Sequence, residues 1–138
     1  MNILIVVLLI LAAVAGYLIY QYRRIKNMPV VSDNKFVVQL SDANYMSKLS
    51  KGIVVIDLWA PWCMPCKMIG PVINEMAEEF QGRATICKLN VDENPRAAQA
   101  FGARSIPTIL VLKNGKEVER IIGVKSKPVL VQTLEKWL

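Results

Sequence analysis

The sequence predicts an α/β fold: a mixed central β-sheet flanked by helices on both faces, preceded by an N-terminal transmembrane helix. Three observations predict it. Apolar runs rich in β-branched residues alternate with segments of helical periodicity. The dipeptide Asn114-Gly115 separates the last two such runs, a strong short-range signal for a hairpin and so for an antiparallel component. Ile3 to Tyr20 is an unbroken stretch of 18 residues with no charged or strongly polar side chain. As a helix it would be about 27 Å long, against a hydrocarbon core of about 30 Å.

Tyr17, Tyr20 and Tyr22 gather at the end of that stretch, where amphipathic rings suit a membrane–water interface, and Arg23, Arg24 and Lys26 follow. The segment has no polar face, which argues against a buried core helix. Ala13-Val14-Ala15 supplies the small residues of a cleavage site, but Met1-Asn2 carries no basic charge and the apolar run continues past the cut. The sequence therefore favours an uncleaved anchor over a signal peptide. Residues 1–26 read as anchor and basic flank, 27–34 as a linker carrying Pro29, Ser32 and Asp33, and 35–138 as one folded domain. Positive charge on the C-terminal flank places the domain on the cytoplasmic side, with an extracytoplasmic domain as the alternative.

Within the domain, Phe36 to Leu40 reads as a strand. Ser41 then caps a helix over 42–49, with Asp42 in its first turn, and Gly52 ends the unit. Ile53 to Trp59 is apolar except for Asp57, as suits a central strand covered on both faces. A helix follows from Cys63 to Phe80, with Met68, Ile69, Val72, Ile73, Met76 and Phe80 inward, Glu75, Glu78 and Glu79 outward, and a kink expected at Pro71. Ala84 to Val91 is the next central strand. Asn94-Pro95 supplies an N-cap and first-turn proline for a helix that stops at Gly102. Strands over 108–113 and 117–122 form the hairpin. Ser126 caps a last helix whose candidate buried positions are Val129, Leu130, Leu134, Trp137 and Leu138.

The net charge is +6 over 138 residues. Without Arg23, Arg24 and Lys26 it is +3, with no basic stripe interleaved with aromatics, so nucleic acid is not an expected partner. The most informative residues are Trp62-Cys63-Met64-Pro65-Cys66. Two cysteines at this spacing can close and reopen a disulfide, one thiolate attacking a foreign disulfide and the second resolving the mixed disulfide. Cys63 falls at a strand-to-helix junction, beyond the C-terminal end of a central strand, where functional loops collect and where the positive end of a helix dipole favours a thiolate. It is therefore the candidate nucleophile and the sulfur expected to be more exposed; Cys66 is the resolving residue. The rival readings are an inert structural disulfide and half of a zinc site. A closed zinc site needs four Cys or His ligands. With three cysteines and no histidine, one chain cannot supply them, leaving only a metal or cluster shared between two chains. Asp57 is the one charge in its strand. If buried, its pKa should rise so that it exchanges protons near neutral pH; at a wet strand end it would be ordinary. Cys87 reads as a small buried hydrophobe, with a regulatory thiol as the alternative.

Residues 35–138 resemble the thioredoxin family. The resemblance is carried by Asp57-Leu58-Trp59-Ala60-Pro61-Trp62-Cys63-Met64-Pro65-Cys66-Lys67, then Lys88-Leu89-Asn90-Val91-Asp92, Ser105-Ile106-Pro107-Thr108 and Lys113-Asn114-Gly115. The family's common active-site sequence has glycine where this chain has Met64; Pro65 is kept, which favours a reducing protein. The resemblance implies a thioredoxin fold and a protein-disulfide reductase, here tethered to the membrane. It puts Asp57 behind the cysteine pair as acid/base for Cys66, with Lys88 as its neighbour across the sheet. It further implies a cis Ile106-Pro107 bond facing Cys63 and a substrate groove lined by Trp62, Met64, Ile106, Pro107 and Gly123; Trp59 could equally be core. It implies no organic cofactor and no metal, the Cys63–Cys66 dithiol being the redox centre. The implied partners are disulfide-containing client proteins and an electron donor, either a thioredoxin reductase or a membrane electron carrier, besides the lipid bilayer around residues 3–20. Two alternatives remain. One is an exported reductant serving a pathway such as cytochrome c maturation, whose members commonly carry insertions not evident here. The other is a non-catalytic binding module using the same fold.

Overall fold

The computed structural model describes residues 2–138. Helix α1 spans Ile3–Lys26, carrying the apolar stretch on through the basic flank. Arg23, Arg24 and Lys26 fill its last turn, where cations meet the negative end of the helix dipole. None of its side chains is buried against the rest of the chain. It is long and apolar enough to cross a membrane, as a membrane anchor or a signal sequence would be.

The sheet has five strands, β1 (Val38–Leu40), β2 (Ile53–Trp59), β3 (Thr85–Asn90), β4 (Thr108–Lys113) and β5 (Lys116–Ile122). Their order across the sheet is β1-β3-β2-β4-β5, with β1, β3 and β2 parallel and β4 and β5 antiparallel. Helices α2 (Tyr45–Lys48), α3 (Met64–Glu79), α4 (Pro95–Ala100) and α5 (Lys127–Glu135) complete the element order that the sequence predicts. Alternation along β2 divides the core. Ile53 and Val55 pack with Ile69, Ile73 and Met76 of α3 and Leu130 and Leu134 of α5. Val54, Ile56 and Leu58 face the other way, toward Leu89, Cys87 and Ala97 of α4. Each fully buried aliphatic side chain contributes about 1.5–3 kcal/mol. The covering of both faces explains the nearly continuous apolar run in β2.

The Asn114-Gly115 turn has φ of 51° and 79°, the paired positive values of the turn that matches hairpin twist. Elsewhere polar contacts, some local and some long-range, overrule the expected elements. The first strand is shorter than predicted because the Asn34 side chain accepts from the Phe36 N–H at 3.0 Å and the Asn34 carbonyl from the Val37 N–H at 3.2 Å, so a turn occupies this stretch. Helix α2 begins only at Tyr45. Ser41 does not cap it; the Ser41 N–H donates to Asn44 Oδ1 at 2.8 Å instead. Asp42 serves a different helix: its carboxylate accepts from the N–H groups of Arg96 and Ala97, at 3.3 and 2.7 Å, at the start of α4. Asn94, the predicted side-chain cap of α4, accepts from the Asp42 N–H at 3.0 Å and makes no cap bond to its own helix. Helix α3 runs through Pro71 without ending, leaving the Lys67 carbonyl without its usual donor. Met68, Val129 and Leu138, expected inside, are exposed, and Leu138 lies beyond the end of α5; Trp137 is partly buried.

Because Asp42 supplies the cap, Asp42→Ala should cost about 1 kcal/mol, whereas Ser41→Ala should cost only a few tenths. Urea unfolding of the two variants checks this; equal losses would contradict the assignment.

Candidate active site

Topology brings three separate loops together. Strand β4 runs antiparallel to β2, so its first residue, Thr108, pairs with Leu58 near the end of β2. The loop before β4 therefore meets the loop after β2. The loop after β3 joins them, with the Val91 N–H donating to the Trp59 carbonyl at 3.0 Å. Cys63 occupies the N-cap of α3 in extended conformation, and the Cys66 N–H donates to its Sγ at 3.2 Å. The two cysteines are joined as a disulfide across Cα atoms 5.2 Å apart. They pack with Ala60 against Trp59, Val91 and Ile106. Cys63 was expected to be the more exposed. In the disulfide form both residues are 4% exposed, because the loops before β4 and after β3 close over the pair. They differ in what they face: Cys63 lines a cleft of about 890 Å³, and Cys66 does not.

Trp62, Met64 and Pro65 form one side of that cleft; Val91, Ala98 and Gln99 form another; Ala103, Arg104, Ser105 and Ile106 complete it. The Ile106-Pro107 bond is cis. Pro107 is buried and lies outside the lining. Gly123, expected in the groove, does not line the cleft either; its N–H donates to the Pro107 carbonyl at 2.9 Å, and its backbone bond is its contribution to that loop. The Trp62 ring is exposed, and its Nε1 donates to Asp92 at 2.7 Å. Among the described residues no three His, Cys, Asp or Glu side chains gather as a metal site.

Asp57 alternates onto the same sheet face as Val55, the face covered by α3, and is 1% exposed. Neither carboxylate oxygen has a hydrogen-bond partner among the described residues. Burial pushes its pKa from 3.8 up to about 7; Lys88 opposes the shift and Asp33 adds to it. Lys88 is the register partner of Asp57 on β3 and is itself 3% exposed, far from the ordinary surface lysine its local sequence allows. Its ammonium sits 2.7 Å from Asp33 Oδ1 and 4.2 Å above the Trp59 ring. Asp33 is the site residue that sequence reasoning missed. It lies in the predicted linker and meets a lysine 55 positions away, a pairing with no local signal. Beside it, the Asn34 side-chain amide donates to the Asn74 carbonyl at 2.8 Å and the Asn74 side chain donates to the Ser32 carbonyl at 3.0 Å, so this end of the linker is fastened to α3. Cys87 lies on the opposite face, buried, its thiol pKa pushed up to about 12 by desolvation, which makes it an inert hydrophobe.

The family model described as Thioredoxin matches residues 36–136. The chain belongs to the thioredoxin family. It is 44% identical over 102 residues to the thioredoxins of Staphylococcus aureus strains Mu50, MW2 and N315, a match covering 74% of this chain and 98% of each relative. It is a thiol–disulfide oxidoreductase, and the Cys63–Cys66 pair is its redox couple. Thioredoxins work with their own disulfide and need no external cofactor.

The raised pKa of Asp57 sets a pH dependence of stability. Below about pH 4 the carboxyl is protonated in both folded and unfolded chains, so its burial costs least. Between about 4 and 7 only the unfolded chain ionises, and stability falls as pH rises. At about 1.4 kcal/mol per unit the loss approaches roughly 4 kcal/mol. Asp57→Asn should remove this slope and raise the melting temperature of the oxidised protein at pH 8. Calorimetry across pH 4 to 8 reads it; a wild-type slope in the variant would refute the assignment.

Proposed function

We propose that this protein is a protein-disulfide reductase held at a membrane by α1. The observation that carries the reading is a cysteine at the N-terminus of α3 that opens onto an apolar cleft, with an unpartnered buried carboxyl group on the sheet face beneath the same helix. Cys63 is the nucleophile. The Cys66 N–H that donates to its sulfur, together with the helix dipole, stabilises a thiolate at that atom. An extended client segment lies in the cleft, where the backbone around Ile106 offers an edge for pairing and Trp62 and Met64 supply apolar contact.

The thiolate of Cys63 attacks one client sulfur. The Cys63–client bond forms, the client disulfide breaks, and the first client thiolate leaves. Asp57 in its carboxylate form takes the proton of the Cys66 thiol, directly or through water. The Cys66 sulfur then attacks Cys63, closing the disulfide and releasing the second client thiolate. Two electrons have passed to the client. A flavin-dependent reductase or a membrane electron carrier must return them.

The basic residues in the last turn of α1 favour a cytoplasmic domain by the positive-inside rule, with thioredoxin reductase as donor. In reduced intact cells, a membrane-impermeant maleimide should then label Cys63 only after permeabilisation; labelling before it would favour the exported alternative. For the chemistry, Cys63→Ser should abolish insulin reduction, and Cys66→Ser should accumulate a mixed disulfide with client on a non-reducing gel. Reductase activity surviving in Cys63→Ser would sink the proposal.

A further inference from the structure

We infer that Asp33 is a positioning residue for this chemistry: by holding the Lys88 ammonium it keeps that charge from pairing with Asp57, and so preserves Asp57 as a proton acceptor for Cys66. The inference rests on the reductase reading above for its kinetic consequence alone.

Lys88 and Asp57 are register partners on adjacent strands and share one sheet face. A buried ammonium beside a buried carboxylate would ordinarily pair with it. Here Lys88 Nζ bonds Asp33 Oδ1 at 2.7 Å, and both oxygens of Asp57 remain bare. The position of Asp33 is built from two further elements. Its Oδ2 accepts from Gln39 Nε2, at the start of the sheet, at 2.8 Å. Asn74 of α3 holds the neighbours on either side, accepting from the Asn34 N–H at 3.2 Å and donating to the Ser32 carbonyl at 3.0 Å. The helix that Cys63 caps and that bears Cys66 thus also fixes the linker end that bears Asp33.

The charges acting on Asp57 are Lys88, which favours its anion, and Asp33, which favours its acid. Around Lys88, β2 supplies Asp57 and the Trp59 ring, β1 supplies neutral Gln39, and the linker supplies Asp33. From α3, Glu75 and Glu79 are engaged at the surface with Lys127. Removing the negative charge at position 33 leaves Asp57 as the nearest anion for a lysine that is 3% exposed. The resulting pair would hold Asp57 ionised to lower pH and make it a weaker base for the Cys66 thiol proton. Asp33 belongs to the segment that joins α1 to the domain, so the proton acceptor is tuned in part by the tether.

The test titrates the Asp57 carboxyl by carbon-13 NMR in the oxidised full-length chain in detergent micelles. Asp33→Asn should lower its midpoint by about one pH unit, and the acid limb of kcat/KM for insulin reduction should move down with it. Asp33→Glu, which keeps the charge, should stay within a few tenths of wild type. An unchanged or raised midpoint in Asp33→Asn overturns the inference, as does a Glu variant displaced as far as the Asn variant. The titration needs no substrate: a shifted midpoint in a chain unable to reduce insulin would refute the reductase reading and leave this one standing. An active reductase with an unmoved midpoint would do the reverse.

Discussion

Asp57 is a buried carboxyl group with no hydrogen-bond partner among the described residues, and much of the domain is arranged around that fact. It lies on the middle strand of the sheet, with neighbours on both edges and core side chains packed on both faces. An unsatisfied polar group in such a place costs about 1–3 kcal/mol. A hydrophobic residue there would pack better and do nothing. The nearby ammonium that would relieve the cost is turned to another acid. The surrounding sheet is correspondingly apolar, with Ile56, Leu58 and Leu110 wholly buried, so a stable frame carries one destabilised group on the sheet face covered by α3, the helix whose start holds the redox pair.

The topology makes such a site possible. A purely parallel sheet would bring together only loops that follow strands. Antiparallel β4 brings the loop that precedes it to the same end. The cleft is thereby bounded by a helix start, the turn after β3 and the cis-proline loop. The lining beside Cys63 is mainly apolar, with Trp62, Met64, Pro65 and Ile106 around the disulfide.

Where a signal is local, the sequence is a good guide. The positive-φ pair at Asn114 and Gly115, the apolar run of β2, the inward stripe of α3 and the cysteine spacing all follow from neighbours within a few residues. Asp57 was legible because a single charge in an apolar strand has few explanations. The failures share one cause. Ser41 and Asn94 are good capping residues whose local order suggests that each caps its own helix, with Asp42 in a first turn; in the fold Asp42 caps α4, and neither Ser41 nor Asn94 caps its own helix. Asp33 looks like linker because its partner is far away in sequence. Gly123 contributes a backbone bond and no surface to the cleft. The equal covering of the two cysteines depends on Val91 and Ile106 from other loops, whose packing over the pair the motifs do not spell out.

The bonds from Asn74 to Ser32 and Asn34 have a geometric consequence. They leave only Asn27 to Val31 between the end of α1 and the first residue fastened to the domain. Even fully stretched, that span from Lys26 to Ser32 reaches about 20 Å, less than the width of a domain of this size. Whatever holds α1 keeps the cleft on a leash too short for free tumbling. In the membrane-tethered reading proposed above, the disulfide would meet only partners that approach within a thin shell, by lateral proximity more than by bulk concentration.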